Sequence, residues 1–329
     1  MLYLSHADVV RAGGTDMVTY IEAVEEAFRL KQAGAVVCPP KIELRWPDQN
    51  APVERAGRVM AMPAYVGGRF NVAGVKWISS VPSNPRERGL PRANALIILS
   101  SRQTGLPLAV IDGTLISAMR TAAVTALVVR HCASTRARVV ALLGAGAIGE
   151  TQLLGLREST PNMSELLVFD PDTEKARCLA SRARLSGWDA SVAGDGGEAV
   201  RAADVVVVAT TASGPSFNPS DLRRGVTVCL LSRLDAPTSL HDVTDRLVVD
   251  DWQHETQHHG RYGNRLLGEG LITDAHDVIE LGAVIAGLTR ARSNTWDRVV
   301  ASTVGLGIED VAAAKTILDK ASALARGGR

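Results

Sequence analysis

The sequence predicts a two-domain α/β protein, a mostly antiparallel sheet followed by a doubly wound parallel one. Three observations carry this. Between about residues 36 and 112, short apolar runs are broken by Pro and Gly without helical spacing. From 138 the rhythm becomes strand, turn, helix, with six apolar runs over roughly 110 residues. The chain of 329 residues is long enough for each half to bury its own core.

The elements follow in order. Residues 16–33 read as a helix: Asp16 can cap it, Val18, Ile21, Val24 and Phe28 repeat at helical spacing, and Gly34 ends it. The runs "RVMAMP", "GVKWIS", "ALIILS" and "PLAVID" read as strands joined by turns, and "LISAMRTAAVTALVVRHCA" returns to helical periodicity through about residue 132. Then come the strands "RVVALLG", "ELLVFD", a weak "DASVA", "ADVVVVAT", "VTVCLL" and "DRLVVDD", with helical segments between most of them. The segment "GLGIEDVAAAKTILDKASALA" is one amphipathic helix.

Composition excludes several classes of function. Hydrophobic residues make up 46% and charged residues 22%, ordinary for a soluble globular protein. A formal net charge of +1 gives no electrostatic case for nucleic acid or an anionic membrane, and aromatics at 4% are too sparse for stacking platforms. His6 and Asp8 interrupt the apolar run a signal peptide needs. The apolar windows 203–210 and 139–148 fall far short of the ~18–20 residues of a membrane span. Cys38, Cys132, Cys178 and Cys229 are scattered, as reduced thiols of a cytoplasmic protein would be.

The strongest local signal is "RVVALLGAGAIGE". Gly144, Gly146 and Gly149 stand in G-x-G-x-x-G spacing after a strand and before a helix, the arrangement that brings a pyrophosphate to a helix N-terminus. The next strand ends at Asp170, where a carboxylate meets a ribose and repels a 2′-phosphate. NAD is therefore the expected cofactor, on a Rossmann-type sheet. Thr210 and Thr211 end the fourth strand of this sheet, at the edge where ligands lie. His254 to His258 spells H-E-x-x-H, but zinc needs both histidines on a packed helix and a third ligand. The segment is nearly all polar and is expected to be a solvated stretch with no metal.

Lys76 is out of place among Val72, Val75, Trp77 and Ile78, since a buried ammonium must be paired. Its ordinary explanation is a buried stem with the charge reaching water.

Taken together, "MAMPAYVGG" (60–68), "GVKWIS" (74–79), "GLPRANALIIL" (89–99), "LISAMRTAA" (115–123), "GAGAIG" (144–149), "LDAP" (234–237) and "GLGIEDVAAA" (305–314) give a chain that resembles the ornithine cyclodeaminase/μ-crystallin family nearly end to end. The resemblance implies a Rossmann-type doubly wound parallel sheet, residues 119–304, inserted in a mainly antiparallel α+β domain of residues 1–118 plus 305–329. That second domain would bind substrate and form a homodimer. "SSVPSNPRERGLPRA", with Arg92, is similar to a branch that cleaves N-(2-amino-2-carboxyethyl)-L-glutamate with NAD and water. The products are 2-oxoglutarate and 2,3-diaminopropionate, the latter destined for a siderophore or peptide natural product.

The resemblance also implies roles. Arg45 and Lys76 fall at substrate-binding positions, Arg120 at one touching substrate and cofactor, and Val304 at a substrate contact. Asp235 falls at the catalytic aspartate. Ala147 and Ile148 fall at the phosphate turn, and Thr211, Ser232, Arg233, Leu234 and Thr303 at further cofactor contacts. Arg92 stands where the cyclodeaminase pattern has threonine, and Ser239 where it has lysine. Both departures turn the expectation away from ornithine, and Arg92 suits an additional substrate carboxylate.

On this reading Asp235 takes the proton of the substrate amine and relays protons until ketone and amine part. Arg120 opens an otherwise apolar helix and can also face pyrophosphate, and the substrate carboxylate brings Lys76 its partner. The rivals are ornithine cyclodeamination or ketimine reduction, and a nucleotide-binding protein without turnover.

Overall fold

The computed structural model describes residues 1–46, 57–159, 162–212, 214–234 and 236–327. The chain divides into two compact units, Met1–Arg120 with Leu306–Arg329, and Thr121–Gly305.

The first unit is built on a seven-stranded sheet among the described residues. Its strands are β1 (Leu2–Leu4), β2 (Val36–Val37), β3 (Ile42–Arg45), β4 (Arg58–Val66), β5 (Val72–Ser80), β6 (Ala93–Ser101) and β7 (Pro107–Asp112). They lie in the order β1-β7-β6-β5-β4-β2, with β3 also on β4. Every pair is antiparallel except β1 with β7. Two elements precede the first expected helix: β1, and α1 (His6–Arg11), opened by a capping box between Ser5 and Asp8. The expected helix is α2 (Met17–Gln32), capped by Asp16. A short α3 (Asn84–Glu87) joins β5 to β6, and α4 (Thr114–Cys132) carries the chain into the second unit. By length and composition α4 could cross a membrane, but 72% of its most apolar window is buried in the protein, as in a core helix.

Period 2 along β5 sorts its side chains: Val72, Gly74 and Lys76 share one face, Val75 and Trp77 the other. The face with Lys76 is covered by the C-terminal helix α11 (Gly307–Gly327), which packs on β4, β5, β6 and α2. The other face is exposed and apolar. In register across it lie Tyr3, Ile98, Leu96, Trp77, Ile42 and Leu44, all exposed.

The second unit carries an eight-stranded, wholly parallel sheet among the described residues. Its strands are β8 (Val139–Leu143), β9 (Glu165–Phe169), β10 (Asp189–Val192), β11 (Val205–Val208), β12 (Thr227–Leu230), β13 (Arg246–Val249), β14 (Ile279–Glu280) and β15 (Val299–Ser302). The order is β10-β9-β8-β11-β12-β15-β13-β14. Helices α5 (Ala147–Ser159), α6 (Thr173–Leu185) and α7 (Gly196–Ala202) alternate with the first strands, β11 to β13 are joined without an α-helix among the described residues, and α8 (Trp252–Gln257), α9 (Tyr262–Gly268) and α10 (Leu281–Ile285) follow β13. Central strands β11, β12 and β15 are buried throughout, so their sequences are runs of apolar residues rather than alternations. Six of these eight strands are expected from the sequence. β14 is two residues long, and β15 is a four-residue run that inserts between β12 and β13.

Candidate functional site

In the second unit, β8 gives way to a glycine turn and then to α5. Gly144 has φ 104°, and a Cβ there would lie 2.6 Å from the carbonyl oxygen of Ala209, so only glycine fits. A Cβ at Gly149 would lie 2.2 Å from the carbonyl of Gly144, which lets α5 start hard against the turn. A Cβ at Gly146 meets nothing within 4 Å, so that side of the turn is open to a ligand. Ala147 and Ile148 open α5 and are exposed. Their N–H groups belong to the first turn, which a helix leaves without intrahelical partners.

Asp170 follows β9 directly and is locked toward this turn. Its Oδ2 accepts the N–H of Ala145 at 2.8 Å and its Oδ1 that of Asp172 at 2.9 Å. Each oxygen keeps a lone pair for a ribose hydroxyl. A turn open at Gly146, free helix N–H groups and an oriented carboxylate together fit NAD, and the carboxylate disfavours a 2′-phosphate.

The remaining expected cofactor contacts sit at the same edge. Ser232 donates its hydroxyl to the carbonyl of Thr210 at 2.6 Å, tying the loops after β11 and β12. Thr211 is exposed, Leu234 half-buried, and Arg233 donates to the carbonyl of His259. Thr303 and Val304 follow β15, and both carbonyls accept from Arg261. Asp235, the expected proton relay, lies outside the described residues.

The H-E-x-x-H segment departs from expectation. It is not a solvated stretch: residues 252–257 form α8, capped by Asp251, with His254 and Glu255 buried. His254 turns its Nδ1 to Asp251 at 2.8 Å, and Glu255 accepts the Ser302 hydroxyl at 2.6 Å. Among the described residues, no three His, Cys, Asp or Glu side chains are grouped to hold a metal ion.

In the first unit, Lys76 is only 1% exposed, and its partner belongs to the protein. Nζ lies 2.9 Å from Oδ1 and 2.8 Å from Oδ2 of Asp310, and donates to Ser117 Oγ at 3.2 Å. This corrects the expectation that a substrate carboxylate alone would neutralise it. Arg120 also differs from expectation: it is the seventh residue of α4 rather than its opening. Its Nε donates to Asp310 Oδ1 at 2.9 Å and its Nη1 to Glu309 Oε2 at 2.5 Å. The cluster thus holds two cations and two carboxylates, all buried.

Local geometry brings α11 to this point. A Cβ on Gly307 would lie 2.9 Å from the carbonyl oxygens of Met62 and Pro63, so glycine lets the helix begin against β4, the strand that pairs Met62 with Lys76. Glu309 reaches back to the N–H of Leu306 at 3.1 Å, one half of a capping box. Carboxylates in a first turn are favoured by the helix dipole. Burial, and then the Arg120 charge, bring the Lys76 ammonium down to about 8, against the pull of Asp310 and Glu309.

Arg45 ends β3 and pairs with Glu43 at 2.5 Å, which Arg58 shares at 3.2 Å. Arg92 is half-buried, and among the described residues its side chain has no hydrogen bond or ion pair. Burial lowers its pKa from the ordinary arginine value. Ser117, Glu309 and Asp310 are absent from the sequence reading. For Glu309 and Asp310 the signal is the pair of adjacent acids at the helix start in "GLGIED", a motif that carries the family resemblance and part of an amphipathic helix but names no partner for Lys76; for Ser117 there is none.

The sequence model of the ornithine cyclodeaminase/mu-crystallin family matches residues 4–324. The chain is 30% identical over 323 residues to N-((2S)-2-amino-2-carboxyethyl)-L-glutamate dehydrogenase of Staphylococcus aureus, covering 98% of this chain and 95% of the relative. It superposes on an archaeal alanine dehydrogenase dimer with bound NAD at a TM-score of 0.89, with 30% identity over 99% and 97% of the two chains. Against Δ1-pyrroline-2-carboxylate reductase of Thermococcus litoralis, in complex with NADH and L-proline, the TM-score is 0.90, with 28% identity over 99% and 98%.

Proposed function

The chain belongs to the ornithine cyclodeaminase/mu-crystallin family, and from that premise we propose that it is an NAD-dependent amino-acid dehydrogenase acting on N-(2-amino-2-carboxyethyl)-L-glutamate. With NAD and water this substrate gives 2-oxoglutarate, 2,3-diaminopropionate, NADH and a proton. The diaminopropionate is material for a siderophore or a peptide natural product.

NAD, when bound, would supply the acceptor for the hydride of the glutamate Cα. The glycine turn and Asp170 hold its pyrophosphate and ribose, with Ser232 to Leu234, Thr211 and Thr303 as further contacts. Lys76 and Arg120, oriented by Asp310 and Glu309, meet a substrate carboxylate, and Arg120 also meets the cofactor. Val304 contributes an apolar contact to the substrate. Asp235 takes the proton of the secondary amine and returns it as the carbon–nitrogen bond breaks.

The observation that carries the choice of substrate is Arg92, a half-buried cation without a protein partner among the described residues. The substrate has three carboxylates, and a bidentate guanidinium suits one of the two that alanine and proline lack. Arg45, which pairs with Glu43, falls at another position expected to meet substrate. Two further features support the wider reading. The exposed apolar sheet face suits a homodimer, since patches of that kind mark interfaces. None of the four cysteines forms a disulfide among the described residues, in keeping with the cytoplasm.

The test is a substrate screen with NAD, read as NADH absorbance and as 2-oxoglutarate formed in equal amount. Turnover of the glutamate adduct well above that of alanine, proline and ornithine is expected. Proline from ornithine, or reduction of a cyclic ketimine with no turnover of the adduct, would replace this reading with the corresponding rival. NAD binding without turnover of any of them would favour a non-catalytic protein.

A further inference from the structure

Two carboxylates and a guanidinium are buried beside the cofactor edge of the second unit without a part in the reaction above. Asp250 and Glu255 are fully buried and Arg261 nearly so. Asp250 Oδ2 accepts the N–H of Gly305 at 2.6 Å and its Oδ1 that of Asp251 at 3.0 Å. Glu255 Oε1 accepts the Ser302 hydroxyl at 2.6 Å and the N–H of Gly263 at 2.9 Å. Arg261 donates through Nη1 to the carbonyls of Leu231 at 3.2 Å and Thr303 at 3.1 Å, and through Nη2 to that of Val304 at 3.2 Å.

Such a group is costly. Two carboxylates buried near each other repel, and burial followed by the Glu255 charge pushes Asp250 above the usual carboxylate range. Apolar side chains of similar volume would serve packing as well or better. What the three groups share is the stretch of chain they hold, Asp250 and Arg261 through its backbone and Glu255 through the Ser302 hydroxyl. Each bonds a residue at or just after the end of β15, and Arg261 adds the carbonyl of Leu231, next to Ser232.

These two loops belong to one half of the cofactor edge. The strand order reverses between β8 and β11, and a dinucleotide lies across such a switch with one nucleotide on each side. Asp170, after β9, takes the ribose on its side. The loops after β12 and β15 lie on the other, where the nicotinamide nucleotide belongs.

We propose that Arg261, with Asp250 and Glu255, is a positioning group that sets loops 231–234 and 303–305 for the nicotinamide half of NAD. The proposal rests on the cofactor reading above. It also accounts for the glutamate of the H-E-x-x-H segment, which holds Ser302 rather than activating water on a metal.

The test compares NAD with ADP-ribose, which lacks nicotinamide, by calorimetric titration of the full-length protein. Arg261→Met is expected to weaken NAD about tenfold, the worth of one or two lost hydrogen bonds. Glu255→Gln and Ser302→Ala should weaken it by roughly threefold on the same scale. ADP-ribose affinity should stay within about twofold in all three. Circular dichroism melts confirm folding, and if Arg261→Met does not fold, the two milder variants carry the same comparison. Equal losses for both ligands would mean general loosening and overturn the proposal, as would unchanged NAD affinity. A wild-type protein that binds neither ligand would overturn the cofactor reading, and this proposal with it.

Discussion

The two candidate ligand regions are made of different material. The glycine turn of the second unit works almost entirely through backbone, on contiguous residues 144–149, with one carboxylate to aim it. The Lys76 cluster works entirely through side chains from three separated segments, with Lys76 and Asp310 234 residues apart. The turn excludes side chains so that a ligand can approach. The cluster packs charges so tightly that each cation is neutralised before any ligand arrives. A backbone site can be degraded by adding one atom, whereas a charge cluster fails by losing one.

The largest expected effect breaks the cluster. Lys76→Met leaves Asp310 short of a counter-ion and should cost about 3–5 kcal/mol of stability, read by urea unfolding. Lys76→Met with Asp310→Leu should recover much of that loss without recovering turnover. If the double variant is no more stable than the single, Lys76 and Asp310 do not act as a pair. Next in size, Gly144→Ala should lower NAD affinity by about two orders of magnitude, since it strains the backbone and strikes Ala209. Gly146→Ala separates folding from binding: the melting temperature should hold while NAD weakens about tenfold, because the added methyl meets only ligand space. A drop in both would mean the space is already filled.

Smaller effects test the substrate side. Arg92→Ala should raise KM for the three-carboxylate substrate by roughly tenfold, the worth of one charge-assisted pair, with NAD affinity unchanged. An unaltered KM would take Arg92 out of recognition. The smallest effect is a pH dependence. Lys76 is a cation below about 8 and loses its charge above it, so KM should climb by a few-fold between pH 7 and 9. A flat profile would remove Lys76 from carboxylate binding. The same depression acts on stability with the opposite slope. Between about 8 and the ordinary 10.5 the unfolded chain holds the proton more tightly, so this residue's share of stability rises with pH.

The contrast explains what could be read from sequence. The glycine turn, Asp170 and the strands around them are local: spacing and period belong to a few neighbouring residues. β15 is hidden in the sequence because Val299–Ser302 is short and buried on both faces, with no alternation to mark it. That hides a second feature as well. Glu255 is buried because Ser302 receives it, so without β15 the segment around it reads as polar and solvated. Lys76 was legible as an anomaly but its partner was not, because Asp310 sits on a helix whose periodicity is satisfied either way. Arg120 was expected to open a helix, yet α4 begins at Thr114, with the N–H of residue 117 already bonded to the carbonyl of Gly113.

The position of α11 in the chain has a consequence for synthesis. Asp310 and Glu309 leave the ribosome more than two hundred residues after Lys76, so the strands of the first unit are made long before the carboxylates that neutralise their lysine. The second unit, Thr121–Gly305, is continuous and can close as soon as it emerges. The nascent chain therefore completes its later-made unit first, and the earlier-made one waits for its last helix.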